Sequence, residues 1–121
     1  MMKVKHIISL QPGYVLVEEP ASFEVIWEEQ KSRLNEIAAI CGEGNTNKVL
    51  ILGPETKVHL SVIELLLLAK GIAKLDLRVA LVVNTDLSSE LESFFEDIAS
   101  NRGSPMQFFK YEKDARGWLN I

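Results

Sequence analysis

A chain of 121 residues has the size of one domain and can bury an ordinary core without metal or disulfide staples. Its apolar fraction of 47% and charged fraction of 25% are those of globular proteins and exclude long disordered stretches. The net charge of −4, carried by acids spread along the chain with no basic stripe, excludes nucleic acid as a partner.

Residues 3–10 are rich in β-branched side chains and run into Gln11-Pro12-Gly13, a turn signal. Residues 14–18 (YVLVE) read as a second strand, and so short a connection implies an antiparallel hairpin. Pro20 ends that strand. Ser22 is placed to cap a helix whose apolar stripe runs through Phe23, Ile26, Trp27, Leu34, Ile37, Ala38 and Cys41. Glu24 falls where the helix dipole favours an acid, and Gly42 and Gly44 stop the helix. Residues 48–52 (KVLIL) form an unbroken apolar run, as in strands buried on both faces of a parallel sheet, and Gly53-Pro54 closes it.

Ser61 and Glu64 have the spacing of a capping box, and a helix follows to about residue 75. That helix is apolar nearly all round. Leu66, Leu67, Leu68 and Ile72 cannot all face one sheet, so a neighbouring helix or a second copy of the chain must cover part of it. Leu67, Leu68 and Ile72 are the candidate dimer surface. Residues 78–83 (RVALVV) form another buried strand, and residues 84–86 a loop, with Asp86 or Ser88 capping the next helix. Its stripe is Leu91, Phe94, Phe95, Ile98 and Ala99, and Gly103 and Pro105 end it. Residues 106–111 (MQFFKY) are the last strand, and Ala115, Trp118 and Leu119 line one side of a terminal helix. The order β-β-α-β-α-β-α-β-α predicts one α/β domain over residues 1–121. Its five-stranded sheet is mainly parallel, edged by an antiparallel strand from the first hairpin.

The single cysteine, Cys41, cannot form an internal disulfide, which points to a reducing, cytoplasmic setting. Its place on the inward stripe makes it core. The opening MMKVKHIISL is not expected to act as a signal peptide, and residues 62–69 fall far short of the ~20 apolar residues of a membrane span. Gly42-Glu43-Gly44 follows a helix rather than a strand, so it reads as a helix stop and not as a phosphate cradle. His6 and His59 have no partners at metal-ligand spacing, so no metal site, cofactor or catalytic residue is expected. Ligands of open α/β sheets bind beyond the carboxyl ends of the strands, where this chain offers Glu55, His59, Asn84 and Asp86. Catalysis would require His59, Asp86 and Glu55 to converge in one cleft.

Residues 79–119 resemble the carboxyl half of the SpoIIAA-like family of STAS-type domains. The resemblance rests on a strand ending in Asn84-Thr85-Asp86-Leu87, a helix ending in Asn101-Arg102-Gly103, a strand carrying Phe109, and the final Ala115-x-x-Trp118-Leu119. It implies a SpoIIAA-like β-α superhelix, related to anti-sigma-factor antagonists and to the Sec14-like lipid-binding fold, and a regulatory rather than catalytic role. In the antagonists a serine in an Asp-Ser-x-Gly motif, at the start of the helix after the third strand, is phosphorylated. Here residues 53–61 carry no such motif, and Ser61 and Thr56 are the nearest candidate regulatory hydroxyls. A phosphate on Ser61 would gain from the helix dipole but would meet Glu64.

The expected function is therefore a non-enzymatic regulatory or protein-interaction module, homodimeric, with another regulatory protein as a candidate partner. The alternative is a domain that binds a small apolar or lipid-like ligand.

Overall fold

The computed structural model describes residues 6–100 and 105–121. Residues 3–5 of the first predicted strand, the helix stop at Gly103 and the Asn101-Arg102-Gly103 segment lie outside the described residues. The elements are β1 (Ile7–Gln11), β2 (Tyr14–Glu18), β3 (Phe23–Ile26), α1 (Trp27–Glu43), β4 (Lys48–His59), α2 (Val62–Ala73), β5 (Arg78–Thr85), α3 (Ser89–Ser100), β6 (Met106–Phe108) and α4 (Glu112–Leu119). The architecture is mixed α/β, with a mostly parallel sheet and one antiparallel pair, β1 with β2. Pro12-Gly13 makes that hairpin turn, with Gly13 at φ +83, a conformation glycine adopts without strain.

The sheet has six strands rather than the five expected. Its path is β1-β2-β4-β5-β6, and β3 also pairs with β4. Two corrections account for the sixth. First, Gly53-Pro54 does not close β4. The strand continues to His59 through a register irregularity between Gly53 and Thr56, the kind of place where a strand tolerates proline. Second, Phe23 and Ile26 are strand, not helix. Once β4 extends to His59 it offers an open edge, and Phe23–Ile26 pairs in parallel with Thr56–His59. Phe23, Ile26 and Trp27 have helical spacing, but Phe23 and Val25 also alternate with Glu24, and the pairing decides between the two patterns. Ser22 accordingly caps nothing. It turns the chain between β2 and β3 at φ 59, and α1 starts four residues later than the stripe suggested, with Glu28 and Glu29 in its first turn.

One edge of β4 is therefore shared. Val49 to Leu52 pair with β2 and Thr56 to His59 with β3, and residues 19–22 bridge the gap. The main core lies between the sheet and α1, α2 and α3, and includes Val15, Val17, Ile37, Val49, Leu65, Ala69, Val79 and Phe95. A smaller core on the opposite face joins Leu50 and Ala80 to Ala115 and Leu119 of α4. There Trp118 packs 5.5 Å from Phe109 and lies under the Arg78 guanidinium at 3.9 Å. Cys41 is buried in the main core, as its stripe position implied, and burial pushes its thiol pKa up, away from reactivity.

At Gly53 the Glu19 side chain leaves little room for a Cβ. A Cβ there would lie 2.9 Å from Glu19 Oε2 and 3.2 Å from Glu19 Cβ. Gly53→Ala is expected to cost roughly 1–3 kcal/mol in urea unfolding, as overpacking does. Gly42→Ala is the control: an added Cβ meets nothing within 4 Å inside α1, and stability should rise by about 0.5 kcal/mol.

Candidate functional site

Where β2 ends and β3 has not begun, the chain buries a carboxylate. The Glu19 amide still follows the ladder, donating to Leu52 O at 2.8 Å, and its side chain turns toward the helical layer. Arg33 Nη2 donates to Glu19 Oε1 at 2.5 Å, and Thr56 Oγ1 donates to Glu19 Oε2 at 2.9 Å. Both carboxylate oxygens are thus engaged by buried donors, which offsets the cost of removing the charge from water. Gln30, also buried, donates from Nε2 to Ile26 O at 2.9 Å. The Arg33 guanidinium lies 5.0 Å from the Phe23 ring centroid, while its Nε–H is buried with no hydrogen-bond partner.

This cluster borders two volumes. On its inner side is an apolar cavity of about 90 Å³ between sheet and helices, walled by residues such as Val49, Leu65, Ile72 and Val79. On its outer side is an open groove of about 620 Å³ lined by His6, Ser22, Phe23, Glu24, Glu28 and Glu36 among others. Gln30 and Arg33 line both. His6 stands 3.8 Å from Glu36 and meets Phe23 edge-on at 6.0 Å. Burial first, and the nearby Arg33 charge second, hold its pKa below the ordinary 6.5.

Reading along the chain missed Glu19, Gln30 and Arg33. The signal for the last two was present: residues 30, 33, 37 and 41 form one inward helical stripe, so a glutamine and an arginine were due for burial with Ile37 and Cys41. Glu19 carried no comparable mark, because its burial follows from the break in the sheet edge.

The residues singled out from sequence scatter over several roles. Thr56 is buried as a donor to Glu19, so the folded chain does not present it for phosphorylation. Ser61 is exposed and forms the capping box: its Oγ accepts from Glu64 N at 3.1 Å and its amide donates to Glu64 Oε1 at 2.9 Å. His59 pairs with Glu24 at 2.8 Å on the exposed face of the β3–β4 ribbon. Asp86 Oδ1 accepts from Val58 N at 2.9 Å, and Ser88, not Asp86, accepts the first-turn amide of α3. Glu55 and Asn84 are exposed. Among the described residues no hydrogen bond joins any two of His59, Asp86 and Glu55, and no group of three His, Cys, Asp or Glu is arranged to hold a metal ion. No helix among them is long and apolar enough to cross a membrane. Of the expected dimer residues, Leu68 and Ile72 face inward and close the main core, whereas Leu67 is exposed.

Two outcomes follow from the buried cluster. Arg33→Met strands a buried carboxylate and should cost about 3–5 kcal/mol in urea unfolding, most of it recovered in Glu19→Gln/Arg33→Met. The His6 pKa is lowered in the folded chain, so as pH falls below about 7 the unfolded chain binds more protons than the folded one. The unfolding free energy should therefore fall as pH drops from about 7 through the folded-state pKa of His6, and His6→Phe should flatten that slope. Comparisons of the chain with protein-family models, with curated proteins and with solved structures find no match.

Proposed function

We propose that this chain is a non-enzymatic regulatory or protein-interaction module of STAS type, acting in the cytoplasm as a homodimer through α2. The observation that carries this reading is the exposure of Val62 (58%), Ile63 (69%) and Leu67 (47%) at the start of that helix. Ile63 and Leu67 are one turn apart and form a single stripe. The same helix sends Leu65, Leu68, Ala69, Ile72 and Ala73 into the core. A helix anchored so firmly on one side holds its outward leucine and isoleucine in a fixed geometry, which suits a repeatable contact better than a mobile loop does. Covering these side chains would remove apolar surface from water at about 25 cal/mol per Å². A two-fold contact would place each stripe against its own copy.

The resemblance of residues 79–119 to STAS-type domains supports a regulatory role. With Thr56 buried, Ser61 is the remaining candidate hydroxyl for a switch at this helix, beside the proposed contact.

Sedimentation velocity at micromolar concentration should show a dimer. Ile63→Glu and Leu67→Glu should each convert it to monomer without lowering the unfolding midpoint, because both side chains are outside the core. A wild-type chain that remains monomeric across the concentration range overturns the reading.

A further inference from the structure

The open edges of the sheet differ. β6 has three residues, and β3 has four with Glu24 among them; short or charged edges resist further pairing. β1 has five, Ile-Ile-Ser-Leu-Gln, with no charge and no proline, and among the described residues it pairs with β2 alone. The hairpin register fixes which of its backbone groups are free. Gln11 and Tyr14 close the two-residue turn, so the pairs that exchange bonds are Gln11–Tyr14, Ser9–Leu16 and Ile7–Glu18. The N–H and C=O of Ile8 and Leu10 therefore point away from β2. No turn, loop or side-chain hydrogen bond among the described residues takes them. Ile7 and Leu10 expose 64% and 46% of their surface along this edge.

α1 flanks this edge with charge. Its Leu34 side faces α2, where Leu34 lies 3.7 Å from the place a Gly71 Cβ would take, and its opposite flank faces β1. Glu36 stands 3.8 Å from His6 at one end of β1, and Gly44 packs on Leu10 at the other. Glu36, Ile40 and Glu43 are four and three residues apart, so they form one stripe reading acid, apolar, acid. Both glutamates are exposed, and Ile40 is half-buried against the main core. We infer that β1 takes up an extended segment of a partner protein as an added strand, one whose sequence reads basic–x–apolar–x–basic. Its backbone bonds Ile8 and Leu10, its apolar side chain lies beside Ile40, and its basic side chains reach Glu36 and Glu43. The two glutamates are about 10 Å apart along the helix, and strand residues four apart span about 13 Å, a difference that a lysine side chain absorbs. An acidic segment would meet two like charges there. This inference gives the interaction-module reading a partner but rests on β1 and α1, not on the α2 stripe.

The test titrates the full chain with the blocked peptides Thr-Lys-Thr-Val-Thr-Lys-Thr and Thr-Glu-Thr-Val-Thr-Glu-Thr, read by amide NMR and hydrogen exchange. The lysine peptide should bind saturably, shift the Ile8, Leu10 and Ile40 signals, and slow exchange of the Ile8 and Leu10 amides. The glutamate peptide should bind roughly tenfold more weakly, the order expected when two exposed ion pairs turn from attraction to repulsion. Glu36→Lys/Glu43→Lys should reverse that order, and both positions are outside the core. N-methylating alternate peptide amides should abolish binding in one phase and leave it within about twofold in the other, the signature of an added strand. Leu10→Pro should remove binding, because proline deletes an edge donor. The glutamate variant keeps the test decisive should Leu10→Pro fail to fold. Ile63→Glu should bind the lysine peptide as the wild type does. No saturable binding of the lysine peptide, or an unchanged order in the Glu36/Glu43 variant, would overturn the inference. So would Ile8 and Leu10 amides already protected in the free chain, the result expected if a second copy fills the edge. A monomer that binds the peptide would overturn the α2 dimer and leave this inference standing.

Discussion

A charge buried beside a sheet has to be matched locally, and the match between Glu19 and Arg33 ties the break in the sheet edge to α1. Glu19 sits where β2 has stopped and β3 has not begun, on the edge of a strand more than twice as long as either partner. Arg33 reaches it from α1, and Thr56 from the far side of the register irregularity in β4. The end of β2, α1 and the far part of β4 are thus tied through one carboxylate. Losing either partner would leave an uncompensated charge in the core, which is far more costly than losing an apolar contact of similar size.

The pair also explains the local geometry. Gly53 must lack a Cβ because the Glu19 side chain occupies that space. The chain between β2 and β3 must turn sharply, and Ser22 takes a left-handed conformation there. Phe23 then covers the guanidinium from the strand side, and His6 closes the same corner from the start of β1. Polar atoms concentrate at this corner while the rest of the helical-side core is apolar. Gln30 and Arg33 at this corner line both the groove and the apolar cavity.

The opposite features lie on α2. Its first turn is fastened by the Ser61–Glu64 capping box, which fixes the direction in which Val62, Ile63 and Leu67 face outward. The apolar stripe of α2 and the polar corner at Glu19 lie on different parts of one small domain.

Periodicity and turn chemistry determined much of this protein from sequence alone. The Pro12-Gly13 hairpin, the buried runs of β4 and β5, the Ser61 cap, the inward Cys41 and the α4 contacts all rest on local patterns that tertiary packing did not override. Tertiary structure decided the rest. Phe23 to Ile26 became strand because β4 ran past Pro54 and offered an edge, a non-local pairing that no window of the sequence contains. Leu68 and Ile72 went inward and Leu67 outward because the direction of α2 against the sheet, rather than its composition, selects which leucines are covered. Glu19 became buried because a gap between two strands needed filling, and only the fold reveals that Arg33, fourteen residues away, completes it.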